Sequence, residues 1–189
     1  MNRDMKSNKW EYFLNAMHYC IWLMDIKFDN CVWRIMDRIF IPFAKLIFTK
    51  SFQKKIGDRR KRNQKELNLF LYNRKNGYHI EWANYLFGYL YSGYPGFFSL
   101  ALLGVAIKVF GNPNGFLMMI LIGIPISLGY IPAYRAVFSG DRYLKYFKQF
   151  EKEDEAWHKK WKRRTIAFCV GSVITTLLGI AAAFAIAIL

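Results

Sequence analysis

Arg74 and His79 are the two residues whose types and spacing come closest to an active site in this sequence. They bound a six-residue stretch, 74–79, that also contains Asn76 and Gly77. An arginine holds a phosphate group by charge and paired hydrogen bonds, and an imidazole can accept or donate a proton near neutral pH. Such a pair could orient a phosphodiester and assist the attack of a ribose 2′-hydroxyl on it.

This spacing resembles the Arg-x4-His motif of HEPN-type ribonucleases. The resemblance covers six residues and implies cleavage of RNA by Arg74 and His79, carried on a helix as in that family. In this chain, Asn76 followed by Gly77 favours a turn at the same place. A HEPN-like ribonuclease is therefore kept as the remote alternative among three functional hypotheses.

No other residue pattern indicates catalysis or metal binding. The three cysteines, Cys20, Cys31 and Cys169, are odd in number and are accompanied by only three histidines, so neither a disulfide framework nor a zinc site is predicted. The sequence also lacks a Gly-rich phosphate loop, a His-Glu-x-x-His motif and a Gly-x-Ser-x-Gly motif. We expect no cofactor, no metal and no enzymatic activity.

Composition points to a membrane protein instead. Apolar residues make up 54% of the 189 residues, yet 28 Lys and Arg stand against 13 acidic residues. The two kinds of residue are separated along the chain, because 82–107, 109–134 and 165–189 contain no charged residue. A helix of about 20 apolar residues crosses a bilayer. The sequence predicts an all-α integral membrane protein with about three transmembrane helices: a helical hairpin in 82–137 and a C-terminal span in 165–189.

The basic residues predict the orientation of these spans. Seventeen precede Trp82, ten lie between Arg135 and Arg164, and Lys108 alone stands near the tip of the hairpin. By the positive-inside rule, 1–81 and the linker 138–164 are expected in the cytoplasm, with the C-terminus outside. We expect a multi-pass protein of a bacterial inner membrane.

Residues 1–81 are predicted to form basic amphipathic helices at the cytoplasmic or interfacial side. Apolar residues recur at helical spacing in two stripes: Trp10, Phe13, Leu14, Met17, Ile21 and Met24, then Ile35, Ile39, Phe43, Leu46 and Ile47. Two amphipathic helices are predicted, which pack on each other or on the spans, or lie in the headgroup plane. Whether 38–50 enters the membrane stays open, although Pro42 and Lys45 favour an interfacial helix.

Two further segments are expected to contact anionic lipid headgroups. Residues 50–75 carry ten basic residues against Asp58 and Glu66, and a juxtamembrane position makes lipid a better partner for them than nucleic acid. The amphipathic linker 138–164 ends in aromatic and basic residues that predict an anchor at the bilayer interface: Trp157, Lys159, Lys160, Trp161, Lys162, Arg163 and Arg164.

The C-terminal span carries a face of small residues at intervals of four: Gly171, Thr175, Gly179, Ala183 and Ala187. Small side chains allow two helix backbones to approach closely in lipid. Two partners fit this face, the chain's own hairpin and a second copy of the chain in a homo-oligomer. The sequence does not separate them.

Three functional hypotheses follow. The first is a non-enzymatic accessory or scaffold protein that acts through helix packing and its basic cytoplasmic surface on an unknown protein partner. The second is an oligomeric pore or membrane-perturbing defence or toxin effector, assembled along the third span. The ribonuclease is the third. A coupled transporter is disfavoured, because no acidic, basic or histidine residue lies well inside a span.

Overall fold

The computed structural model describes residues 8–111 and 113–188, with the backbone alone at 44–45, 50–53, 56, 60–62 and 65. Within these residues the chain forms six α-helices and no strand. Their bounds are α1 Lys9–Ile47, α2 Lys50–Tyr72, α3 Tyr78–Phe110, α4 Gly115–Val137, α5 Arg142–Phe150 and α6 Glu155–Ile188.

The predicted fold class is confirmed, because the described chain is all-helical and three of its helices are long and apolar enough to cross a membrane. These are α3, the helix that begins at Gly115, and α6. Residues that are buried make up only 17%, 6% and 11% of their most apolar stretches, respectively. Their large apolar side chains therefore face outward, which suits lipid and not water.

The N-terminal region differs from the prediction of two amphipathic helices. One continuous helix of 39 residues, α1, carries both predicted stripes and passes through Pro42 without a break. The second helix of the region, α2, is instead formed by the basic segment that follows. The residues between the two stripes, 25–34, continue the helix, because they contain no Gly or Pro to stop it.

The chain divides into two compact units. The span unit consists of residues 8–20 and 85–188, and so contains the start of α1, most of α3, and α4 to α6. The hairpin unit is Ile21–Asn84 and contains the rest of α1, all of α2 and the first turns of α3.

In the span unit, α3 packs against both other spans. Ser99 on α3 donates a hydrogen bond to the carbonyl of Ile122 on α4, and Pro95 lies against Gly129, so these two helices are antiparallel. Tyr94 on α3 donates a hydrogen bond to the carbonyl of Phe168 at 2.7 Å. Further along both helices Gly104 of α3 meets Ala183 of α6, so α3 and α6 are parallel. Three successive crossings of a bilayer require these directions, with α4 antiparallel to α3 and α6 parallel to it.

The start of α1 is the core of the span unit. Every residue from Leu14 to Cys20 is buried, which covers all sides of the helix for nearly two turns. His18 in this stretch is ringed by four aromatic side chains at centroid distances of 5.4 to 5.5 Å: Phe87, Phe138, Tyr143 and Phe147. The first predicted stripe is therefore part of a helix that packs on the spans, which was one of the expected arrangements. The expectation of a single apolar face is corrected for this stretch, because all sides of the helix are covered.

A tight turn brings α5 onto this core. Gly140 and Asp141 take positive φ values of 67° and 53°, which interrupts the regular helix between α4 and α5. The short helix α5 that follows buries four aromatic side chains, Tyr143, Tyr146, Phe147 and Phe150. A helix this short is stabilised mainly by tertiary packing, and here the four buried aromatic side chains provide it.

In the hairpin unit, α1 and α2 run antiparallel and α3 begins after a tight turn. Tyr72 at the end of α2 donates a hydrogen bond to Asn30 of α1. The side chain of Asn73 then accepts hydrogen bonds from the backbone of Lys75 and Asn76, which fixes the turn. A Cβ on Gly77 would collide with the backbone of Asn73, so glycine is required there.

Candidate functional site in the hairpin unit

A groove of about 560 Å³ lies between α1 and α2. Residues three and four apart on each helix line it, because they share one helix face. Its apolar and aromatic lining is Trp33, Met36, Phe40, Leu67, Leu71 and Tyr72. Its polar lining is Asp29, Asn30, Asp37, Asn63, Gln64 and Asn68. The combination of apolar and aromatic side chains with several hydrogen-bonding groups is typical of a ligand or peptide site.

A buried histidine stands behind one wall of this groove. His79, on the first turn of α3, is 1% exposed, and its Nδ1 lies 2.7 Å from Oδ2 of Asp25 on α1. Its Nε2 faces Oδ2 of Asp29 at 3.7 Å, beyond hydrogen-bonding distance, and Asp29 also lines the groove. The ring of Tyr72 packs on the imidazole at a centroid distance of 5.2 Å. His79 therefore joins α3 to α1 and α2.

This geometry gives the Arg74 and His79 pair a different setting from the one the resemblance implied. Arg74 lies in the turn between α2 and α3, whereas His79 is on α3, so the two are not carried on one helix. The imidazole is enclosed and its Nδ1 is engaged by Asp25. Acid–base catalysis on RNA requires an imidazole that the substrate can reach. The contacts of His79 indicate a role in holding the helices together.

Among the residues that the structure describes, no three His, Cys, Asp or Glu side chains are arranged to hold a metal ion. The nearest approach to such a group is His79 with Asp25 and Asp29. Here the 2.7 Å contact with Asp25 is a direct hydrogen bond, which leaves no room for an ion between the two atoms.

The predicted interface anchor of 157–164 divides into two sets of side chains. The five basic residues are exposed, as a headgroup contact requires. The two tryptophans point inward: Trp157 donates a hydrogen bond to Tyr12 at 2.9 Å, and Trp161 is 6% exposed. They differ from the expectation because the aromatic side chains at the start of α1 offer them a core to pack on. The guanidinium of Arg164 lies over the ring of Trp161, 4.8 Å from its centroid.

The small-residue face of α6 lies against α3 of the same chain. An added Cβ would meet Tyr94 at Gly171, and Phe97 with Leu100 at Gly179. Ala183 packs on Gly104, as described above, and the hydroxyl of Thr175 donates to the carbonyl of Gly171. Ala187, one turn beyond Ala183, is half-buried. Two partners fit this face, and one of them, the transmembrane hairpin of the same chain, contacts it. Helix α3 of that hairpin packs on Gly171, Gly179 and Ala183.

Sequence reasoning missed Asp25 and Asp29 as partners of His79, and it missed the groove. One signal was available, because Asp25 and Asp29 interrupt the apolar side of α1 one turn apart, where a carboxylate needs a specific partner. The identity of that partner, 54 residues further along the chain, has no local signature.

Comparison with known proteins identifies no relative, because no protein family, no curated protein and no solved structure matches this chain. The function must therefore be argued from the geometry of the chain itself.

Proposed function

We propose that this chain is a non-enzymatic accessory or scaffold protein of a membrane, in which three spans anchor a helical hairpin that binds a partner protein. The observation that carries the proposal is the groove between α1 and α2. Trp33 on its wall is 51% exposed and Phe40 is 55% exposed, so large aromatic side chains stand ready for contact. Exposed aromatic side chains in a concave site are the residues that most often dominate the affinity of protein interfaces.

The shape and lining of the groove favour an amphipathic helix as the bound element. Two antiparallel helices form its walls, and a third helix can lay apolar residues at i, i+3 and i+4 along Trp33, Met36 and Leu67. The amides of Asn63 and Asn68 in the lining offer donors and acceptors to the polar edges of such a helix. These polar groups would then set the register of the bound helix.

The distribution of basic residues supports placing this hairpin on the cytoplasmic side of a bacterial inner membrane, with the C-terminus outside. Residues 21–84 contain the basic cluster, and Lys54, Lys55 and Arg59 of this cluster are exposed. The side chains of Arg60, Lys61, Arg62 and Lys65 lie outside the described part of the structure. A basic hairpin retained on the cytoplasmic side meets cytoplasmic partners and the anionic inner leaflet together.

Assembly into a pore along α6 is the less favoured function. The face that would form the contact between subunits is packed against α3 at Gly171, Gly179 and Ala183. A second copy could use these positions only after α3 and α6 had separated.

The proposal is tested by photo-crosslinking in intact native membranes. A photoreactive amino acid replaces Trp33 on the groove wall in one variant and Arg34, its neighbour on the polar side of α1, in a matched control. We expect one adduct of defined mass from position 33 and none of that mass from position 34. The partner's share of the adduct is then identified by mass spectrometry.

A second pair of variants checks that the groove itself is responsible. Met36→Glu places a charge in the groove and should abolish the adduct, whereas Phe28→Glu, on another side of α1, should preserve it. Equal labelling from positions 33 and 34, or an adduct that survives Met36→Glu, would contradict a partner site in the groove.

A further inference from the structure

A second surface of α1 carries an apolar stripe that the groove does not use. We define the outer stripe as Phe28, Val32, Ile35, Ile39, Phe43 and Leu46, whose exposed fractions range from 39% to 85%. These residues recur at intervals of three and four, so they form one continuous ridge along the helix. At 3.6 residues per turn, the ridge is centred roughly a quarter of a turn away from the groove residues Trp33, Met36 and Phe40.

The side of α1 that flanks the outer stripe away from the groove, about a third of a turn from the centre of the stripe, is basic. Lys27, Arg34 and Arg38 all lie on it and are exposed. A helix with bulky apolar side chains on one side and Lys or Arg on the other is the kind that lies in the plane of a membrane surface. In such a helix the apolar side enters the boundary between headgroups and acyl chains, while long basic side chains reach back to the phosphates.

We propose that the outer stripe docks on the surface of an anionic bilayer. The stripe is covalently tethered to helices that are long and apolar enough to cross that bilayer, because α3 begins 32 residues after Leu46. A tether of this kind gives a local concentration in the millimolar range, so even a weak affinity for the surface leads to binding.

The sequence of α1 favours lipid over a second copy of the chain. In a coiled coil the core positions repeat every 3.5 residues, and the positions after Phe28 and Ile35 would place Pro42 in the seam. Proline does not fill such a core position well, and it removes a backbone hydrogen bond from the helix. A bilayer surface makes no demand for a matching partner side chain at that position, so it accepts the proline.

Charge decides which lipid the stripe prefers. The chain carries a net charge of +15, and the described basic residues of the hairpin unit that are exposed include Lys27, Arg34, Arg38, Lys54, Lys55 and Arg59. Each basic residue near an anionic surface raises the affinity by about fivefold. Vesicles that contain phosphatidylglycerol should therefore hold the stripe more strongly than vesicles of phosphatidylcholine alone.

The test uses the full-length protein, reconstituted into vesicles of phosphatidylcholine with or without phosphatidylglycerol. The background carries Cys20→Ala, Cys31→Ser and Cys169→Ser, and a single cysteine is then introduced by Ile39→Cys on the stripe or Arg34→Cys on the polar side. Both positions are exposed, so neither label disturbs packing. An environment-sensitive fluorophore on each cysteine reports quenching by lipids with a nitroxide on the acyl chain.

We expect the label at position 39 to be quenched severalfold more than the label at position 34, and more strongly with phosphatidylglycerol present. Equal and weak quenching at both positions would overturn the proposal. So would disulfide cross-linking of Ile39→Cys between copies without lipid quenching, which would indicate a helix–helix contact. Equal quenching at position 39 in both kinds of vesicle would overturn the preference for anionic lipid.

Discussion

Asn15 Nδ2 lies 3.0 Å from the carbonyl oxygen of Ala136, so a side chain of α1 completes the last turn of α4. The last four carbonyls of an α-helix have no partner within the helix. Phe138 N–H satisfies the carbonyl of Tyr134, and Asn15 satisfies that of Ala136. The same amide group donates to the carbonyl of Glu11 within α1 at 2.8 Å. One buried asparagine thus ties the first helix of the chain to the end of its second span.

We expect Asn15→Leu to lower the free energy of unfolding by about 1 to 3 kcal/mol, because it leaves the buried Ala136 carbonyl without a donor. Asn15→Asp should cost more, since it turns a carboxylate oxygen toward that carbonyl. Stability is measured by thermal unfolding in mild detergent, followed by circular dichroism.

Asn68→Leu is the matched control, because Asn68 is an exposed asparagine on α2. Its effect on the thermal midpoint should be small. An Asn15→Leu variant as stable as the Asn68→Leu variant would show that the hydrogen bond to Ala136 contributes nothing to stability.

The contact between α3 and α6 gives a second prediction, at Gly179. A leucine there would overlap Phe97 and Leu100 of α3, so Gly179→Leu should destabilise the protein by about 1 to 3 kcal/mol. Gly123→Leu is the matched control on α4, because no atom lies within 4 Å of a Cβ at that position. Unfolding by increasing amounts of sodium dodecyl sulfate in mild detergent compares the two variants.

The same pair of variants separates internal packing from assembly into a pore. If the α6 face serves the fold of one chain, Gly179→Leu lowers the stability of the protein, and the particle has the same mass in the variant as in the wild type. A wild-type oligomer that Gly179→Leu converts into a stable monomer would contradict internal packing and would favour the pore. Light scattering in detergent gives the mass.

The spans could be predicted from the sequence because their signal is local. A run such as 165–189, with no charge and ample length, indicates a transmembrane helix whatever its neighbours are. The small-residue face of α6 was visible for the same reason, since its spacing of four is a property of one helix. Its partner was not, because Gly104 and Ala183 meet only through the order of the spans.

The features that the sequence did not reveal all depend on contacts between distant residues. The stretch 14–20 contains Asn15 and His18, which imitate the polar side of an amphipathic helix, yet the structure covers both. Trp157 and Trp161 stand where interface anchors normally stand, but they pack inward on the start of α1. Residue types along one helix do not show that another helix of the chain encloses them.

The contact of His79 with Asp25 gives a third prediction, which a double-mutant cycle measures. His79→Ala and Asp25→Ala each remove one partner of a buried polar pair, and we expect a coupling energy of about 0.5 to 3 kcal/mol between them. The equivalent cycle for His79 with Asp29 should show weaker coupling, because Nε2 and Oδ2 are 3.7 Å apart. The local free energy of unfolding of each variant is measured from hydrogen exchange of the α2 amides.

A ribonuclease assay on the same His79→Ala variant addresses the remote alternative. Wild-type protein that cleaves RNA, and a variant that has lost this activity but keeps the hydrogen exchange of α2, would contradict a purely structural role for the imidazole. Arg74→Ala is the second variant of that assay, since the resemblance assigns both residues to one reaction.

Two glycines of the hairpin unit should respond to alanine in opposite directions, and this is the fourth prediction. At Gly77 the new Cβ would collide with the carbonyl of Asn73, so Gly77→Ala should distort the turn before α3 and cost about 1 to 3 kcal/mol. Gly57 lies inside α2 with no atom within 4 Å of a Cβ, so Gly57→Ala should stabilise α2 by about 0.5 to 1 kcal/mol. Hydrogen exchange of α2 measures both, and slower exchange in Gly77→Ala would show that the turn accepts a side chain.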